Sequence, residues 1–217
     1  MSAVAHIKEY KTGRFYTDEF RGTSSWNGWE RNNLLRNEGN GADGVPRFTD
    51  VAPALGADDD RDARGIAIAD FDNDGDLDIV INHNPGATGD PVRARAKYLE
   101  NEIGDRHQWL AVELVGGRGG NRDAVGAKIR ATSGDLTLMQ QVNAGSSYAA
   151  QHSQRLYFGL GGRTAVERLD VIWPSGLEET FTDLATRTLV RITEGEGLEV
   201  LALPGTVPND GSAARIN

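Results

Sequence analysis

The segment from Asp70 to Asp78 constrains this chain more than any other feature of its sequence. Aspartates occupy its odd positions, 1 to 9, and glycine occupies position 6. The residues before it, 64–69, alternate large and small side chains as strands do, and residues 77–82, with Leu77 and Ile79–Ile81, suit a partner strand. The pattern therefore predicts a tight acidic loop that joins two β-strands.

The spacing of these aspartates suits the ligands of one calcium ion. Ca²⁺ takes six to eight oxygen ligands at about 2.3–2.6 Å, and alternate residues of a curled loop aim at one centre. Gly75 permits the sharp turn, where a Cβ would clash. We therefore predict that the ligands are the side chains of Asp70, Asp72, Asp74 and Asp78 and the backbone carbonyl of Asp76, whose side chain would face solvent.

The charge of the loop favours a bound ion over a bare acidic turn. Each pair of carboxylates about 4 Å apart costs about 4 kcal/mol at an effective dielectric constant near 20. Magnesium is a weaker candidate because it demands octahedral geometry and retains its waters. The loop is not an EF-hand, since Ile81 stands where that motif needs a glutamate and the flanks are strands.

A second acidic run, Asp58–Asp62, precedes the loop. Its irregular spacing favours a solvated loop, and a further ligand or a second ion is the alternative.

The composition argues against several classes of partner and excludes several kinds of chemistry. The 217 residues carry a net charge of −9, which argues against nucleic acid and anionic membranes as partners. No cysteine is present, so disulfides, thiol catalysis and cysteine-bound zinc are excluded. No apolar run reaches the ~18 residues of a membrane span, and we expect no direct membrane insertion. The 27 glycines indicate many tight turns between short strands.

The rest of the chain is expected to be all-β. A hairpin is predicted from strands at 32–37 and 47–51. Further strands, separated by glycine-rich turns, indicate an antiparallel sandwich or barrel; they are expected at 109–114, 127–132, 136–142, 155–158, 168–173 and 188–192. The predicted organisation is an N-terminal arm (1–31), a calcium-binding repeat (32–96), a β domain (97–195) and a C-terminal tail (196–217).

Two sets of segments resemble known families. Residues 33–39, 48–51 and 65–79 resemble the FG-GAP or VCBS repeat of integrin-like propellers. Residues 108–114, 121–127, 157–161 and 171–176 resemble, in order, the ASPIC/UnbV domain of cartilage acidic protein 1-like proteins. Together the two resemblances cover about residues 32–195.

The resemblance implies a fold, a site and a role. The fold would be a propeller-blade-like calcium-binding repeat followed by a β-sandwich-like domain, and the five aspartates of the loop match the calcium ligands of the repeat. The family implies a secreted adhesion or assembly protein, so we expect an extracellular or periplasmic location with the leader removed. Because a lone blade exposes sheet edges, we expect a protein partner or a second copy of the chain.

Two alternative functions remain open. One is a calcium-dependent enzyme that acts on a small molecule or glycan in an inter-domain pocket beside His83, His107 or His152. No two histidines have zinc-ligand spacing, and no G-x-S-x-G motif occurs. The other is a carbohydrate-binding module that uses Trp26, Trp29 or Trp173, although Trp173 suits a core position better.

Overall fold

The computed structural model describes residues 31–84, 92 and 94–202, which are nearly all β. It divides into one unit of residues 1–66 and 80–99 and another of 67–79 and 100–217. The predicted N-terminal arm, apart from Arg31, and the tail after residue 202 lie outside the described residues. None of the helices within the described ranges has the length and apolar character needed to cross a bilayer.

The first unit contains a hairpin and most of a three-stranded sheet. Strands β1 (Leu35–Asn40) and β2 (Pro46–Asp50) pair antiparallel, which confirms the predicted hairpin. A one-turn helix α1 (Ala52–Leu55) follows and ends at Gly56, whose φ is +67°. Strands β3 (Ala63–Ala69), β4 (Asp78–His83) and β5 (Lys97–Leu99) form a three-stranded sheet in that order.

The second unit contains two four-stranded sheets. A 3₁₀ turn at Gly104–Arg106 leads into its strands. One sheet has the order β11-β10-β7-β8 and the other β13-β12-β6-β9. The strands are β6 (Gln108–Val115), β7 (Lys128–Ser133), β8 (Leu136–Gln141), β9 (Leu156–Gly161), β10 (Ala165–Ile172), β11 (Glu178–Ala185), β12 (Thr188–Thr193) and β13 (Gly197–Leu201).

One apolar core joins the two sheets and confirms the sandwich. It takes Leu110, Val112 and Leu114 from β6 and, among others, Ile129 from β7 and Leu169 from β10. Burying each such side chain contributes about 1.5–3 kcal/mol. The sheets therefore pack face to face through alternate residues of their strands.

Strand β6 is covered on both faces. Its other face carries Trp109 and Ala111, which pack with Tyr157 and Leu189 in a second buried cluster. This explains its nearly continuous apolar run, since a strand buried on both faces loses the polar alternation.

The expectation of a wholly antiparallel sandwich is wrong at one pair, because β6 and β12 run parallel. The two strands lie far apart in the chain, so no tight turn forces them to be antiparallel. Strand β13 lies within the segment predicted as the tail, so the sheet extends beyond residue 195.

Candidate metal centre

The acidic loop folds on its own backbone amides. The two carboxylate oxygens of Asp70 accept hydrogen bonds from the backbone N–H groups of Asp74 and Gly75, both at 3.1 Å. Asp74 in turn accepts one from Asp76 N–H at 3.0 Å. Asn73 and Gly75 adopt φ values of +63° and +103°, which asparagine and glycine tolerate best. Side-chain acceptors thus hold the loop in a tight curl.

Three of the five predicted residues come together. One carboxylate oxygen from each of Asp70, Asp72 and Asp74 lies within 4.8 Å of the others. Oxygens that share one Ca²⁺ lie at most about 5 Å apart, which is twice the metal–oxygen distance. Asp70 is buried, Asp74 is half-buried and Asp72 is exposed, so the cluster is open to solvent on one side. Its donor set fits a hard divalent cation.

Asp78 has a different position in the loop. It is 1% exposed, and its carboxylate oxygens accept hydrogen bonds from the backbone N–H groups of Phe71 (3.1 Å) and Asn101 (2.9 Å). These bonds join the two ends of the loop and tie them to the chain that enters the sandwich. The metal-ligand role of Asp78 stays a prediction.

Asp76 is buried, at 6% exposure. The expectation that its side chain faces solvent is therefore wrong. A Cβ built on Gly104 would lie 2.5 Å from the Cβ of Asp76, so the Asp76 side chain packs directly against the 3₁₀ turn. The sequence pattern misses this contact because residue 104 lies well outside the motif. The role of the Asp76 backbone carbonyl stays a prediction.

Tyr157 on β9 contacts the acidic loop directly. Its hydroxyl donates a hydrogen bond of 2.8 Å to Asp70 Oδ2. Burial first, and then Asp70, raise the pKa of the Tyr157 hydroxyl well above its usual range, although Arg155 opposes this shift. The hydroxyl is therefore protonated at neutral pH and available as a donor.

Arg155 links the loop to the sheet from behind Tyr157. Its Nη1 donates to Tyr157 Oη at 3.1 Å and to Asn73 Oδ1 at 3.3 Å. Its Nε and Nη2 donate to Glu113 Oε1 at 3.0 and 2.8 Å. Arg191 donates to the other Glu113 oxygen at 3.0 Å, so one glutamate fixes two guanidinium groups.

Trp109 closes the same side of the loop. A Cβ added to Gly75 would lie only 2.1–2.3 Å from three atoms of the Trp109 indole. Gly75 is thus required twice, by its left-handed φ and by the aromatic ring that lies against it. Only the first reason is visible in the sequence.

The second acidic run is solvated only in part, which corrects that expectation: Asp60 is exposed, whereas the side chains of Asp59 and Asp62 are largely buried. Asp59 and Arg61 form a bidentate ion pair, with Arg61 Nε–Asp59 Oδ1 at 2.9 Å and Arg61 Nη2–Asp59 Oδ2 at 2.5 Å. Asp62 is buried and pairs with Arg64 at 2.8 Å. The irregular spacing of the run therefore reflects arginine pairing within the first unit.

The Asp59 ion pair predicts a pH dependence of stability. Hydrogen bonds from the Arg61 side chain, opposed by burial, hold the pKa of Asp59 well below its usual range. A depressed folded-state pKa stabilises the fold above the unfolded value of about 3.9, and this contribution is lost as the pH falls towards the folded value. We expect Asp59→Asn to lower the free energy of unfolding at pH 7, with the deficit shrinking below about pH 4 in urea titrations. The exposed Asp60→Asn is the matched control, and a deficit that is constant with pH would contradict the assignment.

The histidines and tryptophans of the alternative hypotheses lie in different places. His107 and Asp76 both line an open cavity of about 440 Å³ in the second unit, together with Trp109 and Tyr157. In the first unit, the buried His83 donates from Nδ1 to the carbonyl of Arg95 at 2.9 Å. The enzymatic alternative stays a prediction.

Trp173 is buried and donates to Glu179 at 2.6 Å, so it is a core residue and offers no exposed surface to a sugar. Trp26 and Trp29 lie outside the described residues.

Comparison with protein families confirms the resemblance seen in the sequence. The FG-GAP-like repeat matches residues 18–81, which include the acidic loop. The ASPIC and UnbV domain matches residues 117–199, which include Arg155 and Tyr157. The chain therefore carries an FG-GAP-like repeat followed by an ASPIC and UnbV domain.

Among individual proteins, the chain is similar to cartilage acidic protein 1 of Xenopus tropicalis. The two are 26% identical over 132 residues, which make up 60% of this chain and 19% of that protein. The chain thus spans about a fifth of the length of this relative. A crystal structure of a putative cell adhesion protein from Bacteroides uniformis matches with a TM-score of 0.25 and 14% identity, over 64% of this chain and 62% of that one.

Proposed function

We propose that this chain is a calcium-stabilised, non-enzymatic binding or assembly module of an extracellular or periplasmic complex. The observation that carries the proposal is the convergence of Asp70, Asp72 and Asp74 within 4.8 Å in a curled loop. Asp78 and the carbonyl of Asp76 are the proposed remaining ligands. The two matched domains fit an adhesion or binding module.

Calcium would supply charge neutralisation and rigidity at this loop. The carboxylates repel one another without a cation, although the exposure of Asp72 lets solvent screen part of that repulsion. A bound ion removes the repulsion and fixes the curl between β3 and β4. The proposed role of the ion is structural: it orders the loop and does not itself contact a partner.

The β1–β2 hairpin supports a protein partner. Leu35 and Phe48 are 60% and 57% exposed. The register pairs Leu35 with Asp50 and Asn37 with Phe48, so these two apolar side chains are diagonal neighbours on one face. A two-stranded hairpin is marginally stable alone. The exposed pair of Leu35 and Phe48 suits a protein partner or a second copy of the chain.

Calcium titration and chelation test the proposal. At 100 times its dissociation constant, Ca²⁺ adds about 2.7 kcal/mol of stability, which corresponds to a rise of about 5–10 °C in Tm for a chain of this size. We expect calorimetry to detect one strong site, and EGTA to reverse the rise. The control is the double variant D72N/D74N, in which calcium should leave Tm unchanged.

Two results would overturn the proposal. The first is a wild-type melt that is identical in calcium and in EGTA, together with no metal in elemental analysis of native material. The second concerns assembly: light scattering that shows a strict monomer in calcium, with no partner retained from native material, would remove the assembly role while leaving the ion site intact.

A further inference from the structure

The proposed ligands and the residues that position them lie in segments of the chain that match two different protein families. Asp70, Asp72 and Asp74 lie in the FG-GAP-like match, which ends at residue 81. The side chain that donates to Asp70 belongs to Tyr157, inside the ASPIC and UnbV match of residues 117–199. The loop is therefore supported by a domain other than the repeat that encodes it.

The direction of these hydrogen bonds is fixed by their chemistry. An ionised carboxylate only accepts, so the Tyr157 hydroxyl must donate to Asp70. A guanidinium only donates, so the same hydroxyl accepts from Arg155. Arg155 is itself held by Glu113 and also reaches Asn73 in the loop. An ordered relay thus runs from the sheet to a proposed ligand.

We propose that Tyr157, backed by Arg155, is a positioning residue of the divalent-cation site and sets its affinity and its preference for Ca²⁺ over Mg²⁺. This inference rests on the proposed calcium site. The hydroxyl holds one oxygen of Asp70 in place before the ion arrives, which reduces the ordering that binding requires. A loosened loop loses this advantage, and discrimination between the two ions depends on the rigidity and size of the site.

The test uses Tyr157→Phe in the full chain. This variant keeps the ring, which packs at 6.3 Å from Trp109 between centroids, and removes only the hydroxyl. Calorimetric titration with CaCl₂ should show a Kd about tenfold higher than that of the wild type. Titration with MgCl₂ should show a smaller increase in Kd, so that the preference of the site for Ca²⁺ over Mg²⁺ decreases. Tyr148→Phe is the matched control, because Tyr148 is 74% exposed and should leave both values unchanged.

A purely structural role gives a different result. It would lower the Tm in EGTA and leave the Kd of the folded protein unaltered. Arg155→Lys is the second variant, since lysine keeps the charge but cannot reach Glu113, Tyr157 and Asn73 together. This variant should also raise the Kd for Ca²⁺. Wild-type affinity in both variants overturns this inference and leaves the proposed function standing, whereas a wild-type chain that binds no calcium overturns both.

Discussion

Replacing Gly75 with alanine is expected to destabilise the chain by about 2–6 kcal/mol. Two costs add at this position. The φ of +103° is in the left-handed region, where a Cβ costs about 1–3 kcal/mol. The new methyl group would also lie 2.1 Å from the buried Trp109 indole, and forcing such an overlap costs about 1–3 kcal/mol more. Denaturant unfolding in EGTA measures this effect without the contribution of metal.

The chain offers a matched control for this substitution. Gly176 has a similar φ of +91°, and nothing lies within 4 Å of its would-be Cβ. Gly176→Ala should therefore show the backbone cost alone, and the difference between the two variants measures the contact with Trp109. Equal losses in the two variants would mean that Trp109 moves aside freely, and that the sheet does not constrain the loop.

The central strands were predictable because burial imposes a pattern on them. Residues 168–173 and 109–114 carry the alternation or continuous apolar run of a strand that is covered on one or both faces, and they overlap the central strands β10 and β6. Three strands were missed, and each lies at the edge of its sheet. Edge strands tolerate charged and polar side chains that obscure the alternation; the missed strands are β5, β11 and β13.

The candidate site was predictable only as far as it is local. Asp70, Asp72 and Asp74 converge because their spacing and Gly75 dictate the curl. Tyr157 and Arg155 lie more than 80 residues away. Tyr157 begins a segment that resembles the ASPIC/UnbV domain, but nothing in a single sequence connects either residue to the loop. Long-range packing decides such contacts, and it requires the three-dimensional arrangement of the strands.

The aspartates of the loop should respond to neutralisation in opposite ways. Asp78→Asn replaces one carboxylate oxygen with an amide nitrogen that faces a backbone N–H, either that of Phe71 or that of Asn101. At a buried position this leaves a donor unpaired and weakens two charge-assisted bonds, which should cost about 2–4 kcal/mol. Urea unfolding in EGTA should show this loss in full.

Asp72→Asn is the matched comparison within the same loop. Asp72 is exposed, and the amide oxygen can still accept the bond of 3.3 Å from Asp74 N–H. Since the change removes one negative charge from the three-carboxylate cluster, stability in EGTA should rise by up to about 1 kcal/mol, while the gain from calcium disappears. If both variants instead shift stability in EGTA in the same direction and by the same amount, then Asp78 does not close the loop, and all the aspartates act as equivalent surface charges.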